Sequence, residues 1–223
     1  MRLNEIHAHS LNESTMLSSP SMMLDGILNE DVALPDVVKA LNDAGVDFVL
    51  VGGHAIGGWT KKPRATVDVD VVIASNDHAK AVEAIKQRFP ELVMHDLPVV
   101  TRFAPPGVSH HESKVDLMKP GGDQAIIKAA LTNNIETSIE GQKVRIPDLE
   151  MAIAMKYASM VGVYRKMADK YQDATDFMRM VQANQGDIDM DKLRSLGKLV
   201  HSDGDKEIIE YVSNVLTGKS IVI

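Results

Sequence analysis

The chain contains no cysteine, so disulfide bonds, thiolate metal sites and thiol nucleophiles are all excluded. Aromatic residues make up only 4% of the sequence, and aliphatic residues and methionine must therefore supply most of the core. No apolar run approaches the length of a membrane span, and the N-terminal segment lacks the hydrophobic core of a signal peptide. We therefore expect a cytoplasmic protein without a membrane partner.

Basic residues are in the minority, since 24 Lys and Arg stand against 31 Asp and Glu and the formal net charge is −7. Proteins that coat nucleic acid by general electrostatic attraction are basic, so any contact with a polyanion must use a local patch. Four familiar motifs are also missing: the G-x-x-x-x-G-K-S/T phosphate loop, G-x-G-x-x-G, H-E-x-x-H and G-x-S-x-G. The histidine pairs in loops do not indicate a zinc site.

The 223 residues suffice for one domain with additions or for two small domains. Residues 1–32 are polar and weakly periodic, and we interpret them as an N-terminal extension. Residues 33–146 alternate predicted strands and helices, which favours an α/β core, including a strand over residues 114–118. Residues 147–223 have helical patterns throughout and form a predicted C-terminal helical region.

The segment from Phe48 to Ile73 concentrates the residues that could carry chemistry. Its pattern predicts an apolar strand, a glycine pair, a short helix, a basic loop and a strand carrying Asp68 and Asp70. Alternate residues of a strand point to the same side, so these two carboxylates share one face. Adjacent carboxylates repel each other unless a cation lies between them, and Mg²⁺ prefers oxygen ligands. The alternative is a solvated strand face.

A third carboxylate, Asp116, lies on the later strand with the same alternation. Three acidic residues on neighbouring strands can hold two divalent ions roughly 3.5–4 Å apart, which activate a hydroxyl and neutralise a leaving pyrophosphate. Gly52 and Gly53 directly follow a strand and precede a predicted helix, so their backbone can approach a phosphate. A simple tight turn is the alternative interpretation of the glycine pair.

Lys61, Lys62 and Arg64 form a positive patch just before the acidic strand. Arg64 suits a bidentate contact to phosphate, and a solvated loop is the alternative. Lys156 falls on the apolar stripe of a predicted helix. It therefore either snorkels at the margin of that stripe or points into a cleft towards a nucleotide.

Asp173 and Asp176 share one face of the following predicted helix. They could pair with Lys156 or with Arg165, but the pattern slightly favours a solvated helix face for both.

Gly52-Gly53, then R-A-T-V-D-V-D at residues 64–70 and Asp116 on a later strand, resemble the nucleotidyltransferase superfamily with its polymerase-β-like fold. The R-x-T-x-D-x-D form looks most like bacterial stand-alone nucleotidyltransferases, including toxins of type IV toxin–antitoxin systems. The resemblance covers residues 47–74 well, and 113–118 and 150–178 loosely. It implies a small mixed sheet with flanking helices, followed by a C-terminal helical region.

The resemblance implies a role for each matching residue. Asp68, Asp70 and Asp116 would be the catalytic carboxylates and would bind two Mg²⁺ ions, with Mn²⁺ as a substitute. The nucleotide would be contacted by Gly52, Gly53, His54, Arg64, Thr66 and Lys156. His54 departs from the family pattern, because many members place serine after the glycine pair, so a hydroxyl contact to phosphate would be lost while the backbone amides remain.

These residues predict a magnesium-dependent enzyme that moves a nucleotidyl group from a nucleoside triphosphate such as ATP to an acceptor hydroxyl and releases pyrophosphate. The acceptor is open among a tRNA end, another RNA, a protein and a small molecule, and the oligomeric state is not predicted. The rival interpretation is an inactive member of the same fold that acts as a binding or antitoxin-type protein. The presence of all three carboxylates favours activity. An unrelated α/β protein with a chance aspartate pair is the third possibility.

Overall fold

The computed structural model describes residues 12–13, 32–62, 66–121 and 124–222. The helices discussed below are α1 Leu34–Asp43, α2 Gly52–Thr60, α3 His78–Arg88, α4 Ala125–Ala130, α5 Leu149–Val161, α6 Met167–Ala183, α7 Met190–Gly197 and α8 Gly204–Leu216. The strands are β1 Phe48–Leu50, β2 Val69–Ile73, β3 Val93–Asp96, β4 Val100–Ala104, β5 Val115–Met118, β6 Asn134–Ile139 and β7 Gln142–Pro147. This mixture confirms the predicted α/β class.

Five strands form a mixed sheet in the order β1-β2-β5-β4-β3, and β6 and β7 form a separate hairpin. Strands β2 and β5 run parallel, whereas the other neighbours in the sheet are antiparallel. The parallel register pairs Asp70 with Asp116. The antiparallel pairing of β1 with β2 brings the end of β1 beside the beginning of β2, so the glycine pair that follows β1 lies next to Asp70.

The two faces of the sheet pack against different helices. Valines and isoleucines of β2 that alternate with Asp70, such as Val71 and Ile73, join the core formed with α1 and α3. Val72 lies on the same face as Asp70 and joins the core formed with α5 and α6. The helices of the C-terminal region therefore cover the sheet on the face that carries the carboxylates.

Helix α2 is fastened to the C-terminal helices through Trp59, whose side chain is fully buried. Its Nε1 donates a hydrogen bond to the carbonyl oxygen of Pro147 at 2.9 Å. The carbonyl oxygen of Trp59 accepts a hydrogen bond from Nδ2 of the buried Asn184 at 2.7 Å. These contacts fix the helix that begins at Gly52 relative to the helices on the opposite side of the cleft.

The predicted N-terminal extension lies outside the described residues except for 12–13 and 32. The division at residues 32 and 146 stays a prediction. None of the described helices is long and apolar enough to cross a membrane.

Candidate active site

A cleft of about 810 Å³ lies between the carboxylate face of the sheet and the C-terminal helices. Most of the residues predicted to act on substrate line it, namely Gly52, Gly53, Thr66, Asp68, Asp70, Asp116 and Lys156. These residues come from four separate parts of the chain, which the β2–β5 pairing and the packing of α5 bring together.

Residue 52 must be glycine for two reasons, its backbone conformation and the proximity of Asp70. Its φ is +66°, a conformation that side chains rarely adopt, and a Cβ there would lie 2.0 Å from Asp70 Oδ2. The amide nitrogen of Val51 donates a hydrogen bond to the carbonyl oxygen of Asp70 at 2.8 Å, which holds the two segments together. Helix α2 begins at Gly52, so its N-terminal end, where the helix dipole favours anions, lies beside Asp70.

Asp70 has the most perturbed carboxylate of the cleft. Burial, reinforced by the charges of Asp68 and Asp116, raises its pKa from 3.8 to about 7, although Lys156 and Arg165 partly oppose the rise. The ionised form of Asp70 is therefore unfavourable until a further positive charge reaches it.

Asp116 is 8% exposed, and its pKa, like that of Asp70, is raised. Burial raises its pKa, while a hydrogen bond from Ser113 and the charge of Arg102 act in the opposite direction. Its Oδ1 is buried and accepts no hydrogen bond from the described residues. Buried carboxylate oxygens in native proteins normally have a partner, so this oxygen has a free position for a donor or a cation.

The oxygen ligands of Asp68, Asp70 and Asp116 are of the type that Mg²⁺ prefers, and the free Oδ1 of Asp116 fits a cation. Within the described ranges, however, no three His, Asp or Glu side chains converge as a ready-made metal site. Asp68 directs its Oδ1 to Thr66 Oγ1, which donates a hydrogen bond at 2.6 Å.

Lys156 is buried and does not snorkel, since its Nζ lies 2.8 Å from Asp173 Oδ1 and 2.9 Å from Asp176 Oδ2. Arg165 binds the other carboxylate oxygen of Asp173. Asp173 and Asp176 are 2% and 1% exposed, so the solvated helix face favoured from the sequence is wrong. Two carboxylates can be buried on α6 because two cations compensate their charge.

Among the described residues, Lys61, Lys62 and His54 were also predicted to contact substrate but do not line the cleft. Lys61 donates a hydrogen bond from Nζ to the carbonyl oxygen of Ala183 at 2.5 Å, at the end of α6, and Lys62 is exposed. The His54 side chain is buried and absent from the cleft wall, so a contact from this residue to a nucleotide would have to come from its backbone. Arg64 lies outside the described residues.

Two cleft residues, Arg102 and His111, were not predicted from the sequence. Arg102 is paired in register with Asp116 across β4 and β5, and its Nε lies 3.2 Å from Asp116 Oδ2. His111 lies in a short 3₁₀ turn between these strands, with its Nδ1 3.3 Å from Arg102 Nη1. The sequence does place Arg102 on a predicted strand, which was the available signal for this residue. It does not show which strand lies beside that one, so it could not predict the contact with Asp116.

A family model described as "Nucleotidyl transferase AbiEii toxin, Type IV TA system" matches residues 39–213 of the chain. No curated protein sequence matches.

Solved structures give low similarity. An antigenic nucleotidyltransferase-like protein from Paracoccidioides brasiliensis is 20% identical, with 83% of this chain and 91% of that chain covered and a TM-score of 0.47. The antibiotic-resistance factor ANT(2'')-Ia is 14% identical, with 73% and 86% covered and a TM-score of 0.47. The lincosamide antibiotic adenylyltransferase LnuA is 14% identical, with 66% and 98% covered and a TM-score of 0.45. At these values the structural similarity carries no weight for function.

The assignment therefore rests on the sequence match, which spans more than half of the chain. It agrees with the resemblance carried by the glycine pair and by R-x-T-x-D-x-D at residues 64–70. The chain belongs to the AbiEii family of nucleotidyltransferase toxins of type IV toxin–antitoxin systems, and it is a nucleotidyltransferase.

Proposed function

We propose that the chain transfers a nucleotidyl group from a nucleoside triphosphate to an acceptor hydroxyl in a magnesium-dependent reaction that releases pyrophosphate. The observation that carries the proposal is the pairing of Asp70 with Asp116 on parallel strands, directly beside the first turn of α2. This arrangement places carboxylates and a helix N-terminus in one cleft of about 810 Å³.

The triphosphate would lie between the start of α2 and the wall formed by α5 and α6. Backbone amides at Gly52 and Gly53 favour anions there, because the first amides of a helix have no partner within the helix. Lys156 and Arg165 line the opposite wall and contribute positive charge. Thr66 would hold Asp68 in place through its hydrogen bond.

Asp68, Asp70 and Asp116 would hold two Mg²⁺ ions, with Mn²⁺ able to replace them. When bound, the ions would neutralise the charge of the phosphates and of the carboxylates. The raised pKa of Asp70 supports a cation here, because burial and its acidic neighbours leave the ionised carboxylate short of positive charge.

In the proposed reaction the acceptor oxygen forms a bond to the α-phosphorus, and the bond from that phosphorus to the oxygen bridging to the β-phosphate breaks. Pyrophosphate leaves with that oxygen and its bonding electrons. The proton of the acceptor hydroxyl passes to a carboxylate of the cleft, for which we propose Asp116. Most of the rate would come from positioning the two reactants and from preorganised charge rather than from covalent chemistry.

The test is incubation of the protein with each of the four labelled nucleoside triphosphates, magnesium, and total cell RNA, protein or small-molecule extract. Label from the α-phosphate should enter one acceptor fraction, and pyrophosphate should appear in equal amount. Asp68→Asn with Asp70→Asn should abolish labelling. Asp43→Asn is a matched control, because Asp43 forms an exposed ion pair with Lys39 on α1, outside the cleft.

Failure of the parent to label any fraction with any of the four nucleotides would refute transfer and favour a binding protein on the same fold. Equal labelling by the parent and the double mutant would refute the assigned carboxylates instead. Because the proposed donor is a nucleoside triphosphate, we place the activity in the cytoplasm.

A further inference from the structure

Arg102 on β4 stands directly opposite Asp116 on β5 in the antiparallel register, and both side chains line the cleft. The Nε atom of Arg102 lies 3.2 Å from Asp116 Oδ2. The arginine side chain is 25% exposed and the aspartate side chain 11% exposed, so the pair is partly removed from water. Its charges are therefore weakly screened compared with those of a surface ion pair.

The contact between these groups is an ion pair with poor hydrogen-bond geometry. The buried Nε of Arg102 makes no well-aligned hydrogen bond and the buried Oδ1 of Asp116 accepts none, although both the charge and the hydrogen bonding of the guanidinium oppose the rise in the pKa of Asp116. An arginine–carboxylate pair at its strongest has two parallel hydrogen bonds, which this pair lacks. The guanidinium also contacts the short 3₁₀ turn before β5, where its Nη1 lies 3.4 Å from the carbonyl oxygen of His110 and 3.3 Å from His111 Nδ1. These contacts help to fix its position.

Two other cations of the cleft, Lys156 and Arg165, form their ion pairs with carboxylates of α6, although their charges also act on Asp70. Lys156 lies between Asp173 and Asp176, and Arg165 binds Asp173. Among the ion pairs of the described residues, Asp116 is the carboxylate joined to Arg102. Among the ion pairs of the described residues, Arg102 is therefore the cation in contact with one of the three cleft carboxylates Asp68, Asp70 and Asp116.

We propose that Arg102 is the resident counter-ion of Asp116, a positioning residue whose charge a divalent cation must displace. It holds Asp116 in the metal-free protein mainly through its charge, and the poor hydrogen-bond geometry at Nε lets the carboxylate exchange this partner for a cation. This inference rests on the proposed function, because the displacing ion is the one assigned to the carboxylate cluster. It predicts that removing the charge weakens the metal-free fold and strengthens metal binding.

The test compares the parent with Arg102→Met, which keeps an apolar stem and removes the charge. Mn²⁺ binding is measured by titration calorimetry and by electron paramagnetic resonance, without nucleotide. We expect Arg102→Met to bind Mn²⁺ about tenfold more tightly, because a unit positive charge a few ångströms away repels the ion even after screening. The melting temperature in chelator should fall, and Mn²⁺ should raise it more than in the parent.

Two variants serve as controls. Arg88→Met removes a surface ion pair to Asp36, in which Nη2 and Oδ1 lie 2.8 Å apart, and should leave Mn²⁺ affinity unchanged. Arg102→Lys keeps the positive charge and should bind Mn²⁺ as the parent does. If Arg102→Met does not fold, Arg102→Gln takes its place in the same comparison.

Equal or weaker Mn²⁺ binding by the neutral variant overturns the proposal, as does an equal gain in Arg102→Lys or Arg88→Met. Tighter binding by the neutral variant together with no nucleotidyl transfer by the parent would support Arg102 and refute the proposed function. If neither protein binds Mn²⁺, the cation site itself is refuted and the proposal about Arg102 falls with it.

Discussion

Replacing Asp70 with asparagine should stabilise the metal-free protein, and the gain should grow as the pH rises from about 4 to about 7. Burial and the neighbouring carboxylates raise the pKa of Asp70 from 3.8 to about 7. At about 1.4 kcal/mol for each tenfold change in an equilibrium, this rise corresponds to an upper bound of about 4 kcal/mol against the ionised folded state. Structural relaxation and water reduce this value, and we expect about 2 kcal/mol to be recovered by the neutral amide.

The direction of the pH dependence follows from which state holds the proton. Because the pKa of Asp70 is higher in the folded protein than in the unfolded chain, the folded state binds more protons between about pH 4 and pH 7. The contribution of this group to the free energy of unfolding therefore falls as the pH rises through that window. Below the window Asp70 is neutral in both states, and the substitution removes nothing.

The assay is thermal denaturation of the parent and Asp70→Asn in chelator, at about pH 4 and about pH 8. For a chain of this size about 2 kcal/mol corresponds to a gain of about 4–8 °C, which should appear at pH 8 and fall to a small fraction of that value at pH 4, close to the ordinary pKa of an aspartate. Asp43→Asn is the control, since its exposed ion pair with Lys39 predicts no such pattern. A variant that melts at or below the parent at pH 8 would refute the reasoning.

Three further substitutions test other parts of the cleft. Gly52→Ala should lower the free energy of unfolding by about 2 kcal/mol or more and strongly reduce the rate of nucleotidyl transfer. The reason is that the new Cβ would lie 2.0 Å from Asp70 Oδ2 in a strained backbone conformation. A melting temperature and a transfer rate equal to those of the parent would contradict this. Lys156→Met should raise the dissociation constant for nucleotide, measured by calorimetry. It should also lower the free energy of unfolding by about 3–5 kcal/mol, measured in denaturant, because it leaves two buried carboxylates without their lysine. An unchanged melting curve would refute the buried ion pairs. Arg64→Ala should weaken triphosphate binding much more than Lys61→Ala, whose ammonium is already bound to a backbone carbonyl, and equal effects in calorimetry would reduce this patch to a solvated loop.

Magnesium with nucleotide gives a further test, through the double substitution Asp68→Asn with Asp70→Asn. A ligand that binds only the native state raises the melting temperature, so the parent should gain stability from magnesium and nucleotide. The double mutant should gain none, although its metal-free stability should equal or exceed that of the parent. A gain in the double mutant equal to that of the parent would place the binding site elsewhere.

Local pattern was sufficient for much of the cleft. Alternation along the strand predicts that Asp68 and Asp70 share a face, and both line the cleft, although β2 begins only at Val69 and Asp68 therefore lies just before the strand. The glycine pair after an apolar strand predicts the start of a helix, and the structure has that start at Gly52, where φ is +66°.

Tertiary packing decided the rest. Periodicity predicts which face of an element a residue occupies but not which element covers that face, so it could not predict the burial of Asp173 and Asp176 around Lys156. The same limit applies to Arg102, whose proximity to Asp116 depends on the pairing of β4 with β5. The sequence by itself determined the chemical groups and the faces that carry them. Only the three-dimensional fold decided which charges meet, because contacts between distant segments depend on the register and packing of the whole chain.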